Sequence, residues 1–330
     1  MIDLFRQEVL PLYPAFSGIK RISIKPYKKL VWETTYHVVI NFNVYFVAED
    51  GQETKIPIVC SAHSSEPRAN VFATLNYLWD KKLPDQGIDM PRPLFFSEYF
   101  NGTFYRAIDG ENLLHYIKNK DTASVEWIVS ATARLLAKLH ALPVDREANF
   151  NASNARIETV IPGVPTIIRE MKARYHGKYS GRLEKLYDYF IEQEQKILDR
   201  RHPLSLIHGD AHPENIIVTG PDRIGLIDFT DFCLADPIRD AAAFSQHLEY
   251  KIWTKWGNND YAIKMKDFFL QEYFAESGLA RDSDAEERLE LYYNWTAIRT
   301  STFWFLKFDH NEAYAEALLS QIEKKLGLDK

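Results

Sequence analysis

The stretch Leu206-Ile207-His208-Gly209-Asp210-Ala211-His212-Pro213-Glu214-Asn215-Ile216-Ile217-Val218 restricts what this chain can become more than any other. Its two apolar runs, Leu206-Ile207 and Ile216-Ile217-Val218, read as short buried strands. The polar residues between them therefore lie on a loop held at both ends by core. A few residues on, Ile224-Gly225-Leu226-Ile227-Asp228-Phe229 reads as a third apolar strand that delivers a carboxylate at its end. This order is expected to bring Asp210, Asn215 and Asp228 together. Phosphoryl transfer from a nucleotide explains a need for all three groups. Asp210 would accept or orient the proton of an attacking hydroxyl, and Asn215 and Asp228 offer hard oxygen ligands for Mg²⁺ on the phosphates.

The spacing agrees with that chemistry: His208, Asp210 and Asn215 fall at the offsets of the kinase loop H-R-D-L-x-x-x-N, and Asp228 stands where the Asp of D-F-G would. On these residues the chain resembles the aminoglycoside phosphotransferases and their choline-kinase-like relatives. Their loop reads H-G-D-x-H-x-x-N, and their metal strand I-D-F/W is followed by further acids, here Asp231, Asp236 and Asp240. The resemblance implies an α+β, bilobal, protein-kinase-like fold. Residues 1–107 would form a nucleotide-covering N-lobe, a small antiparallel β-sheet with one helix. Residues 108–330 would form a larger, mostly helical C-lobe with the catalytic loop, the metal site and the acceptor pocket. It also implies ATP or GTP with Mg²⁺ as cofactors and a small hydroxyl acceptor such as an aminoglycoside, choline, a sugar or an amino acid. The nucleotide base would bond to hinge backbone at Tyr105, Arg106 and Ala107. If the acceptor is cationic, Asp231 and an aromatic ring would attract it. His208, His212 and Asp240 are expected to hold the loop.

The rest of the chain fits two lobes, since 330 residues exceed one small core. Residues 35–47 are rich in β-branched and aromatic side chains, residues 49–52 read as a turn, and residues 55–60 as the returning strand, with Pro57 expected at an edge or bulge. Residues 66–82 carry Val71, Phe72, Leu75, Leu78 and Trp79 at helical spacing. Residues 94–96 and 103–107 supply two more strands. Past Gly110 the pattern turns helical, first at residues 125–142, where Ile128, Leu135 and Leu139 share a stripe that stops at Pro143, then at residues 183–198, and continuously from Asp240. Most of the C-terminal rings, Trp295 and Phe269 among them, are expected in core. Asp282, Asp284, Glu286 and Glu287 read as a solvated helix start.

A formal charge of −6, with 40 basic against 46 acidic residues, argues against a nucleic-acid or anionic-membrane surface and tolerates a cationic substrate. Cys60 and Cys233 have neither metal spacing nor a framework partner, residues 1–13 lack the form of a signal, and no apolar run is long enough to span a bilayer. A cytoplasmic protein without membrane insertion is expected.

One departure bears on function. Kinases of this type carry a Lys or Arg on the third strand to hold the α- and β-phosphates, paired with a Glu on the next helix. Here residues 56–63 offer only His63, and the helix offers Glu66 only at its start. His63, Arg68, Lys25 or Lys55 would then have to take the phosphates. A catalytically impaired, nucleotide-binding regulatory protein is therefore an alternative. A metal-dependent phosphohydrolase using Asp210 and His212 is a third, although His247 and His310 stand alone and no second ligand cluster follows.

Overall fold

Alternation along the hairpin determines how the N-terminal sheet is built. In a strand, successive side chains point to opposite faces, and in residues 42–46 every second one, Phe42, Val44 and Phe46, is large, apolar and buried. The computed structural model describes residues 1–31, 36–64, 68–159, 162–307 and 310–328. Thr35 and Glu66, two of the expected element starts, lie outside them. The chain divides into two compact units, one of residues 1–111 with 217–230 and the other of residues 112–216 with 231–330.

In the first unit β1 (Gly18–Val31), β2 (Tyr36–Val47), β3 (Glu53–His63), β5 (Arg92–Ser97) and β6 (Gly102–Arg106) form an antiparallel sheet in the order β1-β2-β3-β6-β5. Phe42, Val44, Phe46, Ile56 and Ile58 bury one face of it against Phe5 and Val9, contributed by α1 (Ile2–Glu8) and the residue that follows it. The opposite face of β2 and β3 carries Asn41, Asn43, Lys55, Pro57, Ser61 and His63. Helix α2 (Ala69–Asp80) buries Val71, Leu75 and Leu78.

Pro57 is neither at an edge nor at a bulge: it sits in an interior strand, opposite Asn43. Its carbonyl accepts from the Ala107 N–H at 3.1 Å, one residue beyond the last ladder pair with β6, Ile58 with Arg106. Its nitrogen faces the same side, so the one bond proline cannot donate, back to Ala107, falls where the ladder with β6 ends.

A distant segment completes this unit. The strand Arg223–Leu226 runs parallel to β4 (Ile88–Asp89), with Gly225 opposite Asp89. A Cβ on Gly225 would lie 2.6 Å from the Asp89 carbonyl, so the close pairing needs glycine.

The second unit is helical: α3 (Leu113–Lys118), α4 (Thr122–His140), α5 (Val164–Tyr175), α6 (Ser180–Asp199), α7 (Ile238–Trp256), α8 (Asn259–Ser277), α9 (Ser283–Leu306) and α10 (Glu312–Leu326). Asp121 caps α4, and the expected stripe of Ile128, Leu135 and Leu139 is buried. Asp282 caps α9 through the Ala285 N–H, so the acidic run does open a helix. Phe269, Tyr273 and Trp295 are core, whereas Trp253 and Phe303 are exposed. Helix α5 carries Pro165 in its first turn, where a missing N–H costs nothing. Among the described residues no helix is long and apolar enough to cross a membrane.

Candidate active site

The loop from His208 to Asn215 hangs from one buried carboxylate. Asp240, in the first turn of α7, accepts the His208 N–H at 2.6 Å and the Gly209 N–H at 2.9 Å, and His140 of α4 meets it at 3.1 Å. Burial alone would raise the Asp240 carboxyl. The hydrogen bond and charge of His140, with help from His208, hold it below its ordinary value instead. Tyr273 holds the other ring nitrogen of His140 at 2.8 Å. His208 is wholly buried, and its Nδ1 accepts the Asp210 N–H at 3.4 Å.

Gly209 is the tightest point of the loop. Its φ is +82°, and a Cβ there would lie 2.2 Å from the Asp231 carbonyl and 2.5 Å from Asn154 Nδ2. Gly209→Ala is expected to cost about 2–4 kcal/mol of unfolding free energy, read by urea titration, from backbone strain plus the clash.

Asp210 lies beyond this bend with its side chain 33% exposed. His212 Nε2 is 3.4 Å from its Oδ2, and His212 Nδ1 is 3.1 Å from Glu214 Oε2. Lys251 of α7 closes the chain on Glu214. Burial would strip charge from each group, but the opposite charges outweigh it. Asp210 is held well below the usual carboxylate range, Glu214 falls to about 2, and His212 rises to about 10. His247 behaves oppositely: burial, with the His212 imidazolium close by, lowers it to about 3. His212 therefore does more than brace the turn, since it keeps Asp210 ionised. These residues line a cavity of about 310 Å³ that Arg299, Thr300 and Trp304 of α9 complete.

Asn215 belongs to the same loop. Its Nδ2 donates to the Asp210 carbonyl at 3.0 Å, which leaves the amide oxygen to face a cation.

Asp228 belongs to the first unit and has φ +64°, a left-handed conformation uncommon outside glycine. Its Oδ1 accepts the Thr230 hydroxyl at 2.7 Å, and Thr230 accepts from the Arg68 guanidinium, also at 2.7 Å. Arg68 also reaches His37 Nε2 at 3.5 Å. The rings of His37 and His63, opposite each other on β2 and β3, are 4.9 Å apart. Burial, then the charges of Lys28 and Arg68, lowers His37 to about 4.

Both metal candidates thus present oxygen donors, the hard set that Mg²⁺ takes. Among the described residues no three His, Cys, Asp or Glu groups converge as a metal site. Mg²⁺ is ordinarily held by one or two protein oxygens, with water and phosphate as its other ligands, and each of Asn215 and Asp228 by itself offers an oxygen of that kind.

The first unit contains its own cavity, of about 710 Å³, with Lys25, Lys55, Arg92 and Arg106 in its lining. Ala107 shares that lining, but the Tyr105 and His63 side chains do not. Asp231 is not in the lining of the Asp210 cavity; its carboxylate meets Asn151 at 3.4 Å and its carbonyl accepts from Asn154 at 2.9 Å. His140, Glu214, Lys251, His247 and Arg299 were not singled out for this loop from sequence. His140 had a visible signal, as a histidine near the end of the helical stretch that stops at Pro143. Both cysteines are buried and free.

A helical unit carrying this loop and a β-rich unit carrying Asp228 define the protein-kinase-like class of phosphotransferases. A family model described as the phosphotransferase enzyme family matches residues 40–291, and the chain belongs to that family. No curated protein is a significant sequence match. Among solved structures, ethanolamine kinase of Plasmodium vivax aligns at TM-score 0.54 and 15% identity, over 92% of this chain and 82% of that one. The amicoumacin kinase hAmiN, in complex with AMP-PNP, Ca²⁺ and Ami, aligns at TM-score 0.54 and 15% identity, over 97% and 92%. A thermostable mutant of the aminoglycoside phosphotransferase APH(4)-Ia aligns at TM-score 0.53 and 15% identity, over 95% and 97%. At such identities these likenesses carry the fold.

Proposed function

We propose that the chain is a small-molecule kinase that transfers the γ-phosphoryl group of ATP or GTP, bound with Mg²⁺, to a hydroxyl of a small acceptor. The observation that carries this reading is Asp210, a carboxylate kept ionised in a small cavity, with Asn215 hydrogen-bonded to its backbone. In the reaction the acceptor oxygen bonds to the γ-phosphorus as the bond to the nucleoside diphosphate breaks, and the hydroxyl proton passes to Asp210. A carboxylate held below its usual range is a weak base. Asp210 therefore acts mainly by aiming the hydroxyl, which suits a transition state with little bond formation to the nucleophile.

In this reading the cations of the first unit's cavity take the nucleotide, with Ala107 and Arg106 beside the base, and Asn215 and Asp228 hold the metal, which neutralises phosphate charge. The nucleotide analogue and Ca²⁺ in the amicoumacin kinase complex support the cofactor assignment by likeness. Two free, buried thiols support a reducing cytoplasmic setting, and the net charge of −6 disfavours nucleic-acid partners.

One observation favours the regulatory alternative: Ser61, opposite Thr103, occupies the region of β3 where a kinase lysine would stand. Nucleoside-diphosphate release across a panel of hydroxyl acceptors separates the two, because a regulatory protein binds nucleotide and releases none. If the cavity lysines hold the phosphates, a Lys25→Met/Lys55→Met double variant raises the nucleotide KM roughly 5- to 20-fold, as two half-screened charges would. An unchanged KM would move the phosphates to Arg68 and His63.

A further inference from the structure

The charged side chains around Asp210 pair off among themselves, and one guanidinium is left over. Glu214 is matched by Lys251 and shares the His212 imidazolium with Asp210. His247, driven down to about 3, is neutral at physiological pH. Both carboxylates thus have their partners among His212 and Lys251. Lys251 and His212 are occupied. Arg299 lines the same cavity from α9, and among the described residues it makes no hydrogen bond and no ion pair.

A half-buried guanidinium with its donors unused is built to receive an oxyanion, since its planar fork matches a carboxylate or a phosphate ester. We propose that Arg299 is the anion-binding residue of the acceptor site, and that the acceptor is a small hydroxylated anion. It would place its carboxylate or phosphate ester on Arg299 and its hydroxyl on Asp210. The cavity of about 310 Å³ lies at the small end for ligand sites, which suits a compact molecule, and Phe303 and Trp304 give its carbon skeleton an apolar wall. A cationic acceptor would meet Arg299 and Lys251 with like charge. This inference rests on the kinase reading and narrows it, reversing the expectation that a cationic substrate is drawn in by Asp231.

The test uses acceptors paired by charge with the full-length protein: glycerate against glycerol, N-acetylhomoserine against its amide, glucose 6-phosphate against glucose, with choline as the cation. Nucleoside-diphosphate release and calorimetric binding are both read. At least one anionic member is expected to exceed its uncharged partner roughly 10-fold or more in kcat/KM. Arg299→Gln should remove most of that advantage, bringing the two members of the pair to within about threefold, mainly through KM, and Arg299→Lys should restore part of it. The carboxylate and phosphate pairs show which oxyanion is meant. Preference for choline or the uncharged members would overturn the inference while leaving the kinase reading intact, as would an equal effect of Arg299→Gln on both members of a pair. If no acceptor is turned over, the kinase reading fails. Calorimetry then decides the site separately: no binding of the anionic members that depends on Arg299 overturns it too.

Discussion

Asp210→Asn lowers kcat by roughly 100-fold or more while nucleotide affinity in the presence of Mg²⁺ stays within about twofold. The amide keeps the size and shape of the carboxylate, so the loop hung from Asp240 should not move. It cannot take the hydroxyl proton, and it presents a donor where an acceptor is required. A second readout confirms that the variant acts through charge. His212 is held near 10 against the pull of burial, first by the Asp210 charge and then by its hydrogen bond, with Glu214 contributing less. In Asp210→Asn the His212 imidazole should therefore titrate well below 10 by NMR, while its shift in the wild-type protein stays constant through neutral pH. Full turnover in the variant, together with an unmoved His212, would remove Asp210 from the reaction.

The parts of this site that are legible in sequence are those whose partners lie close together along the chain. His208, Asp210 and Asn215 sit within one short loop between apolar runs, and their residue types and offsets are tied to one chemistry. Gly209 could be seen, but not the reason for it, because the atoms that exclude a Cβ belong to Asp231 and Asn154. Arg299 and Lys251 were hidden for a different reason. On a helix a basic residue has the same spacing whether it faces solvent or a cavity, and the rings around Arg299 on α9 dominate the local pattern. The N-terminal helix was hidden too: Phe5 and Val9 are two apolar residues in a short segment, and their value comes from covering Phe42 and Phe46. Pro57 was misplaced because propensity places proline at edges, whereas here an interior strand merely outlasts its neighbour.

The second large effect belongs to Asp228, and it combines a loss of binding with a gain of stability. Its φ of +64° costs an L-residue roughly 1–2 kcal/mol, and a glycine would relieve that strain. Asp228→Gly should therefore raise the unfolding midpoint or leave it unchanged, while the Mg²⁺-dependent part of nucleotide affinity falls by roughly 100-fold or more. A residue kept only for its fold would show the reverse, lower stability with binding retained. The groups behind Asp228 predict a graded series. Thr230 donates to Oδ1 and so fixes which oxygen is left for the cation, and Arg68 in turn holds Thr230. Thr230→Val removes that anchor but keeps the carboxylate, and should weaken Mg²⁺-dependent binding by roughly 10- to 100-fold, less than Asp228→Gly. Calorimetry at several Mg²⁺ concentrations reads both. If Thr230→Val and Asp228→Gly leave the Mg²⁺ dependence intact, the cation is held by other residues, and Arg68, Thr230 and Asp228 serve only to anchor the strand end.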